Sequence, residues 1–259
     1  MEKITSRQNR LCAHIKKLGI SSSYRKECGE FVCDGFKLLE EAVKSKIAIP
    51  AVLSSVKLPV TLPCDTRLCY TDRAVIDSIS PLKNPQDVLF TCSMNDARND
   101  TIDDLLTEPF GTHILLDSVQ DPGNVGAIIR TAFAFGMKSV MLTGGCADLY
   151  NPKTIRATMG AVFKQRIHHI TGAELAALKN KEVRIIGATL ADAGSSIINT
   201  DLSSSIIAIG NEGSGLSDFI LALCDEKMAI PINPECESLN VAIAAGIIMW
   251  KARCAHVIS

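Results

Sequence analysis

The stretch Asp117-Ser118-Val119-Gln120-Asp121-Pro122-Gly123-Asn124-Val125-Gly126-Ala127-Ile128-Ile129-Arg130 begins where the apolar run His113-Ile114-Leu115-Leu116 ends in a carboxylate. Proline fixes one backbone angle and glycine tolerates positive φ, so Pro122-Gly123 signals a tight turn. Asn124 then stands at the start of an expected helix over 124–136, which carries Arg130 inward. A strand, a polar turn and a helix with an inward arginine describe a site at the carboxyl end of a parallel sheet. The same pattern fits an ordinary strand-to-helix connection, so the rest of the chain decides between the two.

Downstream, apolar strand signals at 112–116, 139–142, 165–170, 183–189, 206–210 and 227–230 alternate with helical signals at 124–136, 152–159, 173–180, 217–224 and 238–254. Such alternation predicts a mainly parallel sheet covered on both faces. The last helix, Val241-Ala242-Ile243-Ala244-Ala245-Gly246-Ile247-Ile248-Met249-Trp250, is apolar almost all round and is expected to be buried on every side, with a subunit interface as its natural place. Upstream, a basic amphipathic helix over 6–18 shows Leu11, Ile15 and Leu18 as its stripe, followed by a short helix over 21–27. Strands at 30–33, 47–53, 67–70 and 88–92, with helices at 36–45 and 72–79, complete a small α/β domain. The polar, aperiodic stretch that follows reads as a linker. The expected organisation is an amino-terminal domain over 1–93, a linker over 94–108 and a larger α/β domain over 109–259.

A chain of 259 residues suffices for one large or two ordinary domains. With a net charge of −1, no global electrostatic pull on nucleic acid or membrane exists. Locally the balance differs: Lys3, Arg7, Arg10, Lys16, Lys17, Arg25 and Lys26 occur with no acid among them. That cluster suits phosphate contacts or, more simply, a solvated helix face. The ten cysteines lack zinc-knuckle spacing and read as small buried hydrophobes in a reducing compartment. His168-His169 alternate faces of a strand, so no metal is implied. The amino terminus lacks a signal-peptide core and the longest apolar stretch, 241–250, is about half a membrane span, which predicts a soluble, cytoplasmic protein.

Two later loops carry residues that mere connections rarely need. Gly210-Asn211-Glu212-Gly213-Ser214-Gly215-Leu216-Ser217 follows an apolar strand, and its glycines let a ligand approach the backbone. It has neither the Gly-Lys-Ser/Thr ending of a phosphate loop nor the Gly-x-Gly-x-x-Gly dinucleotide fingerprint. Ile230-Pro231-Ile232-Asn233-Pro234-Glu235-Cys236-Glu237-Ser238-Leu239-Asn240 is the second; Ser238 is expected to cap the last helix, with Asn240 in its first turn.

Together these segments resemble the three ordered motifs of the SpoU/TrmH class of RNA ribose 2′-O-methyltransferases: Asp121-Pro122-Gly123-Asn124-Val125-Gly126 with Arg130, then Gly210 to Leu216, then Ile230-Pro231 with Ser238-Leu239-Asn240-Val241-Ala242. Asn151-Pro152-Lys153 with Arg156 and Met159-Gly160-Ala161 is also similar to that family. The amino-terminal half resembles its substrate-binding domain through Ile4-Thr5-Ser6, Asn9, Ile15-Lys16-Lys17-Leu18, Arg25, Phe31, Asp34-Gly35 and Leu38-Leu39-Glu40-Glu41-Ala42. The resemblance implies an α/β catalytic domain with a carboxyl-terminal trefoil knot, an exception to unknotted topology. It implies S-adenosyl-L-methionine as cofactor, structured RNA as substrate, a homodimer formed through the knot region, and a ribosomal-protein-like amino-terminal RNA-binding module. By motif position, cofactor contacts fall on Gly210, Asn211, Gly213, Ile230, Ile232, Ser238 and Leu239, with Thr189 and Leu190 at an earlier strand end. Arg130, Asn124, Glu212, Ser238 and Asn240 take the catalytic and substrate positions, and Arg7, Arg10, Lys16, Lys17, Arg25 and Lys26 the RNA contacts. The chain departs from the pattern at Pro234, where glycine is usual, at Thr158, where serine is common, and at Asp34, where glutamate is usual.

Methyl transfer asks a site to align an activated methyl group and make a ribose hydroxyl nucleophilic. Guanidinium keeps its proton across the physiological range, so Arg130 suits the adjoining phosphate and the developing alkoxide, while the proton goes to that phosphate, to water or to a desolvated Arg130. Ribosomal RNA is favoured over transfer RNA because of the added amino-terminal domain. The alternatives are a non-catalytic RNA-binding protein that retains the fold and a nucleotide-dependent α/β enzyme.

Overall fold

The computed structural model describes residues 2–94, 111–181, 183–190 and 194–257. In chain order the first elements are β1 (Glu2–Ile4), α1 (Arg10–Ile20), α2 (Ser22–Cys28), β2 (Glu30–Asp34), α3 (Phe36–Lys44), β3 (Ala51–Ser54), β4 (Arg67–Thr71), α4 (Arg73–Ile79) and β5 (Val88–Ser93). The second half holds β6 (His113–Leu116), α5 (Pro122–Phe135), β7 (Val140–Leu142), α6 (Pro152–Thr158), β8 (Ile167–His169), α7 (Gly172–Asn180), β9 (Ile185–Ala188), β10 (Ser195–Ser196), β11 (Ile206–Ile209), α8 (Asp218–Leu223), β12 (Glu226–Ala229) and α9 (Val241–Val257).

Two compact units result. The first comprises residues 2–94 together with Asp148–Lys164; the second comprises 111–147 and the described residues after 164. The segment 148–164, expected with the carboxyl-terminal domain, packs in the first unit because Ile155 and Phe163 bury in the same core as Phe31, Leu39, Val52 and Phe90. The proposed linker over 94–108 lies outside the described residues except for Met94.

The first unit is a mixed sheet in the order β1-β4-β3-β5-β2. Its basic helix α1 starts at Arg10 rather than residue 6, because Asn9 caps it, accepting from the Leu11 amide at 2.9 Å. Leu11, Cys12, Ile15 and Leu18 bury against Leu53 and Leu89, the amphipathic stripe read from spacing.

The second unit is a seven-stranded, all-parallel sheet in the order β10-β12-β9-β11-β6-β7-β8. Its central strands are continuous apolar runs, with Ile114, Leu115 and Leu116 of β6 fully buried, as sheets covered on both faces require. Strands β1 and β10 carried no periodic signal, being three and two residues long. Helix α9 departs from expectation. Ala245, Ile248, Met249 and Ala252 are buried, but Ile243 and Trp250 are 58% and 57% exposed, and Ile247 and Phe133 also face solvent. One side of α9 packs on α5; burial on every side is not achieved within the single chain.

Candidate functional site

The chain order changes direction between β6 and β11. From β6 the sheet grows through β7 to β8, whereas β11 leads the other way to β9 and β12. Ligands of open α/β sheets bind in the crevice at the carboxyl ends of such a switch point. The glycine-rich loop leaves β11 beside the Asp117 loop leaving β6, since Leu116 and Ile209 are register partners and Asp117 N donates to Ile209 O at 2.9 Å.

The glycine-rich loop folds back on itself: Asn211 and Gly215 exchange backbone hydrogen bonds of 2.9 and 3.0 Å. A side chain at Gly210 would collide with the Gly215–Leu216 backbone, so the glycine is sterically required. Gly215 takes φ +70°, which favours glycine. Asn211 keeps its side chain inside the loop, accepting from Gly213 N (2.8 Å) and Ser214 N (3.2 Å) while its amide donates to Ser118 O (2.8 Å).

This loop, the carboxyl ends of β9 and β12, and the approach to α9 enclose a cavity of about 460 Å³, within the roughly 300–1,000 Å³ of small-molecule sites. Thr189, Leu190, Gly210, Asn211 and Gly213 line it, as do Ile230, Ile232, Ser238 and Leu239. Leu216 and Val241, within the quoted motifs, add apolar wall, as do Ala188, Ile209, Met228 and Ile248, with Lys227 a cation; these last five the motifs do not single out. Strand-end position was the sequence signal of Ala188, Ile209, Lys227 and Met228, and Ile248 lies within the apolar run of α9. Thr189 adds a buried hydroxyl with no hydrogen-bond partner among the described residues, at the end of β9. Apolar walls, exposed backbone and an unsatisfied hydroxyl suit a ligand of mixed polarity.

Beside the cavity, three expected site residues meet. Asn240 Nδ2 donates to Asn124 Oδ1 (3.2 Å), and Asn124 Nδ2 donates to Glu212 Oε1 (2.7 Å). The direction is set by the last helix: Asn240 Oδ1 accepts from Ala242 N (3.0 Å) and Ile243 N (3.3 Å), leaving its amide as donor. Asn240, not Ser238, therefore caps α9, because a side chain one residue before the helix reaches its orphan amides. Ser238 instead lines the cavity. Asn124 sits within α5, since the helix begins at Pro122 and Asp121 caps it by accepting from Asn124 N at 2.9 Å.

Arg130 does not turn inward. It is exposed, is not part of the cavity wall, and has no hydrogen-bond or ion-pair partner among the described residues. Six positions along a helix amount to about 240°, so Arg130 faces away from Asn124.

In the first unit, Arg7, Arg10, Lys16, Lys17 and Lys26 are exposed. Lys17 Nζ lies 3.9 Å from the Tyr24 ring centroid, a cation–π contact. Arg25, expected among the RNA contacts, is instead 3% exposed. Its guanidinium donates to Leu18 O and to Asp148 Oδ2, both at 2.5 Å. Burial opposes ionisation of Asp148, but the Arg25 charge and the Tyr150 amide outweigh it and hold the carboxyl below the ordinary range.

Residues 111–250 match the SpoU rRNA Methylase family, and residues 13–89 match an MRM3-like substrate binding domain. The chain is 31% identical to the 23S rRNA (guanosine(2553)-2′-O)-methyltransferase RlmP of Bacillus subtilis, over 98% of this chain and 100% of that one. An AdoMet-bound rRNA methyltransferase from Sinorhizobium meliloti superposes with a TM-score of 0.85 at 28% identity, covering 100% of this chain and 99% of the other. The SpoU methyltransferase AviRb from Streptomyces viridochromogenes shares the fold, with a TM-score of 0.84 at 23% identity over 96% of this chain and 99% of that one.

Proposed function

The chain belongs to the SpoU rRNA methylase family and is an RNA methyltransferase, and we propose that it moves a methyl group from S-adenosyl-L-methionine to a ribose 2′-hydroxyl of ribosomal RNA, working as a homodimer. The observation that carries this reading is the convergence of three separate segments, after β9, after β11 and between β12 and α9, on one cavity beside the Asn240–Asn124–Glu212 chain.

The residues present fit the cofactor. Gly210, Ile230 and Leu239 offer backbone groups, Leu216, Met228 and Ile248 apolar wall, and the Thr189 hydroxyl an unsatisfied polar partner. The cofactor supplies an activated methyl group on a sulfonium centre. The chain's own work is alignment and charge. Asn240 and Asn124 pass one hydrogen-bond direction to Glu212 and hold its carboxylate at the cavity wall. A guanidinium is a fixed planar cation, so the task of Arg130 is to bind the RNA phosphate and stabilise charge on the attacking oxygen. The exposed basic residues of α1 and α2 supply sequence-independent contacts to RNA phosphates. The solvent-facing side of α9, with Phe133, is the dimerisation face, in keeping with the knotted carboxyl-terminal half implied by the family resemblance.

Calorimetry and methylation assays test this reading. Wild-type protein binds S-adenosylmethionine, and Arg130→Ala keeps that binding while losing methyl transfer. Absence of cofactor binding at millimolar concentration would leave an RNA-binding protein that retains the fold. Mapping the 2′-O-methyl positions lost on gene deletion decides ribosomal against transfer RNA.

A further inference from the structure

Resting on the cofactor assignment above, we propose that Asp117 is a positioning residue which, with Asn211, locks both ends of the glycine-rich loop and thereby sets cofactor affinity independently of RNA binding. Asp117 is 4% exposed and does not line the cavity, so it does not touch the ligand. Its Oδ2 accepts from Ser217 N at 2.8 Å. Ser217 is the residue that ends the loop and caps α8, its hydroxyl accepting from Ile220 N. At the loop's other end, the Asn211 amide donates to Ser118 O at 2.8 Å. Both struts therefore stand on consecutive residues, Asp117 and Ser118, at the end of β6.

That footing is itself built to stay in one shape. Ser118 holds φ +59°, a left-handed conformation costly for a residue with a side chain. Its amide donates to Thr143 Oγ1 at 3.0 Å, beyond the end of β7. Gly145 approaches so closely that a side chain there would meet Ser118 Oγ. A strained turn held by two neighbours from the loop after β7 points to a load placed on it, and the load visible here is the loop that walls the cavity. Removing the Asp117 carboxylate leaves the Ser217 amide without its acceptor and frees the loop end.

The test titrates S-adenosylmethionine into the full-length protein by calorimetry and measures ribosomal RNA affinity by filter binding. Variants are Asp117→Ala, Asp117→Asn, Asn211→Ala and, as a stability control, Ser139→Ala. Ser139 is buried and bonds His113 at the amino end of the same strands. Asp117→Ala and Asn211→Ala raise the cofactor Kd by about tenfold or more with RNA affinity unchanged. Asp117→Asn restores most of the loss, because its amide oxygen still accepts from Ser217 N. Ser139→Ala lowers Tm without raising the cofactor Kd. If Asp117→Ala does not fold, Thr143→Val, which removes the acceptor of the Ser118 amide at a residue that does not line the cavity, decides by the same split. An unchanged cofactor Kd, or a parallel loss of RNA affinity, overturns the proposal; a wild-type protein that binds no cofactor overturns the assignment it rests on.

Discussion

Replacing Arg25 by methionine keeps most of the side-chain volume and removes only the guanidinium, so the change isolates its ion pair. Arg25 is 3% exposed and the Asp148 side chain 29%. Breaking a buried pair by removing one partner costs about 3–5 kcal/mol, because the remaining charge is left uncompensated. Asp148 retains some access to water, which places the loss near 3 kcal/mol, including the donor taken from Leu18 O. For a unit of this size about 4 °C accompanies each kcal/mol, so the first unit melts roughly 12 °C lower. The pH dependence adds a second check. The folded pKa of Asp148 is lowered, so its contribution is complete above the unfolded carboxylate value of about 3.9 and is lost as pH falls through the lower folded value. The difference between wild type and Arg25→Met, followed by calorimetry and circular dichroism, is therefore full near neutral pH and shrinks in acid. A loss of under about 1 kcal/mol, or a difference that persists unchanged below the folded pKa of Asp148, refutes the ion-pair account. So does a reduced salt slope of RNA binding measured below the melting temperature, since it would return Arg25 to the RNA-contacting set.

Asn124→Asp sets a second carboxylate against Glu212, where an amide donor now stands at 2.7 Å; methyl transfer falls by about two orders of magnitude while cofactor titration is unchanged, and a wild-type rate removes the hydrogen-bond chain from the mechanism. Neutralising Arg7, Arg10, Lys16 and Lys17 lowers the magnitude of the log–log salt slope of RNA binding by up to about 3, as each phosphate contact contributes roughly 0.7–0.9; an unchanged slope makes the helix a solvated face. Trp250→Glu places a charge on the exposed apolar side of α9 and shifts a dimer to monomer in sedimentation velocity, whereas an undisturbed dimer locates the interface elsewhere.

Much of the site was legible because its residues carry local signatures. Gly210 and Gly215 are needed where a backbone hairpin closes on itself, and glycine spacing after an apolar strand reports that directly. Thr189 and Ile230 follow β9 and β12, and strand ends can be found from apolar runs. Arg25 was misread because its partner lies 123 residues away, a distance at which charge pattern carries no information. Asn240 took the cap expected of Ser238 because either side chain can serve, and only the first helical residue, Val241, decides between them. Asp117 gave no sign of its strut, since its partner Ser217 N is a backbone group on another strand's loop.

By itself the sequence determined the strands and helices other than the short β1 and β10, and picked out the glycine-rich loop and the loop before α9 that line the cavity, because periodicity, turn residues and caps act over a few positions. Tertiary structure alone decided that β11 and β6 lie side by side, bringing Glu212 to Asn124 and the glycine-rich loop to Asp117. It also decided that 148–164 completes the amino-terminal core, that Arg130 faces solvent, and that α9 keeps one apolar side uncovered. Each depends on burial, which is set by contacts between residues far apart in the chain rather than by their neighbours along it.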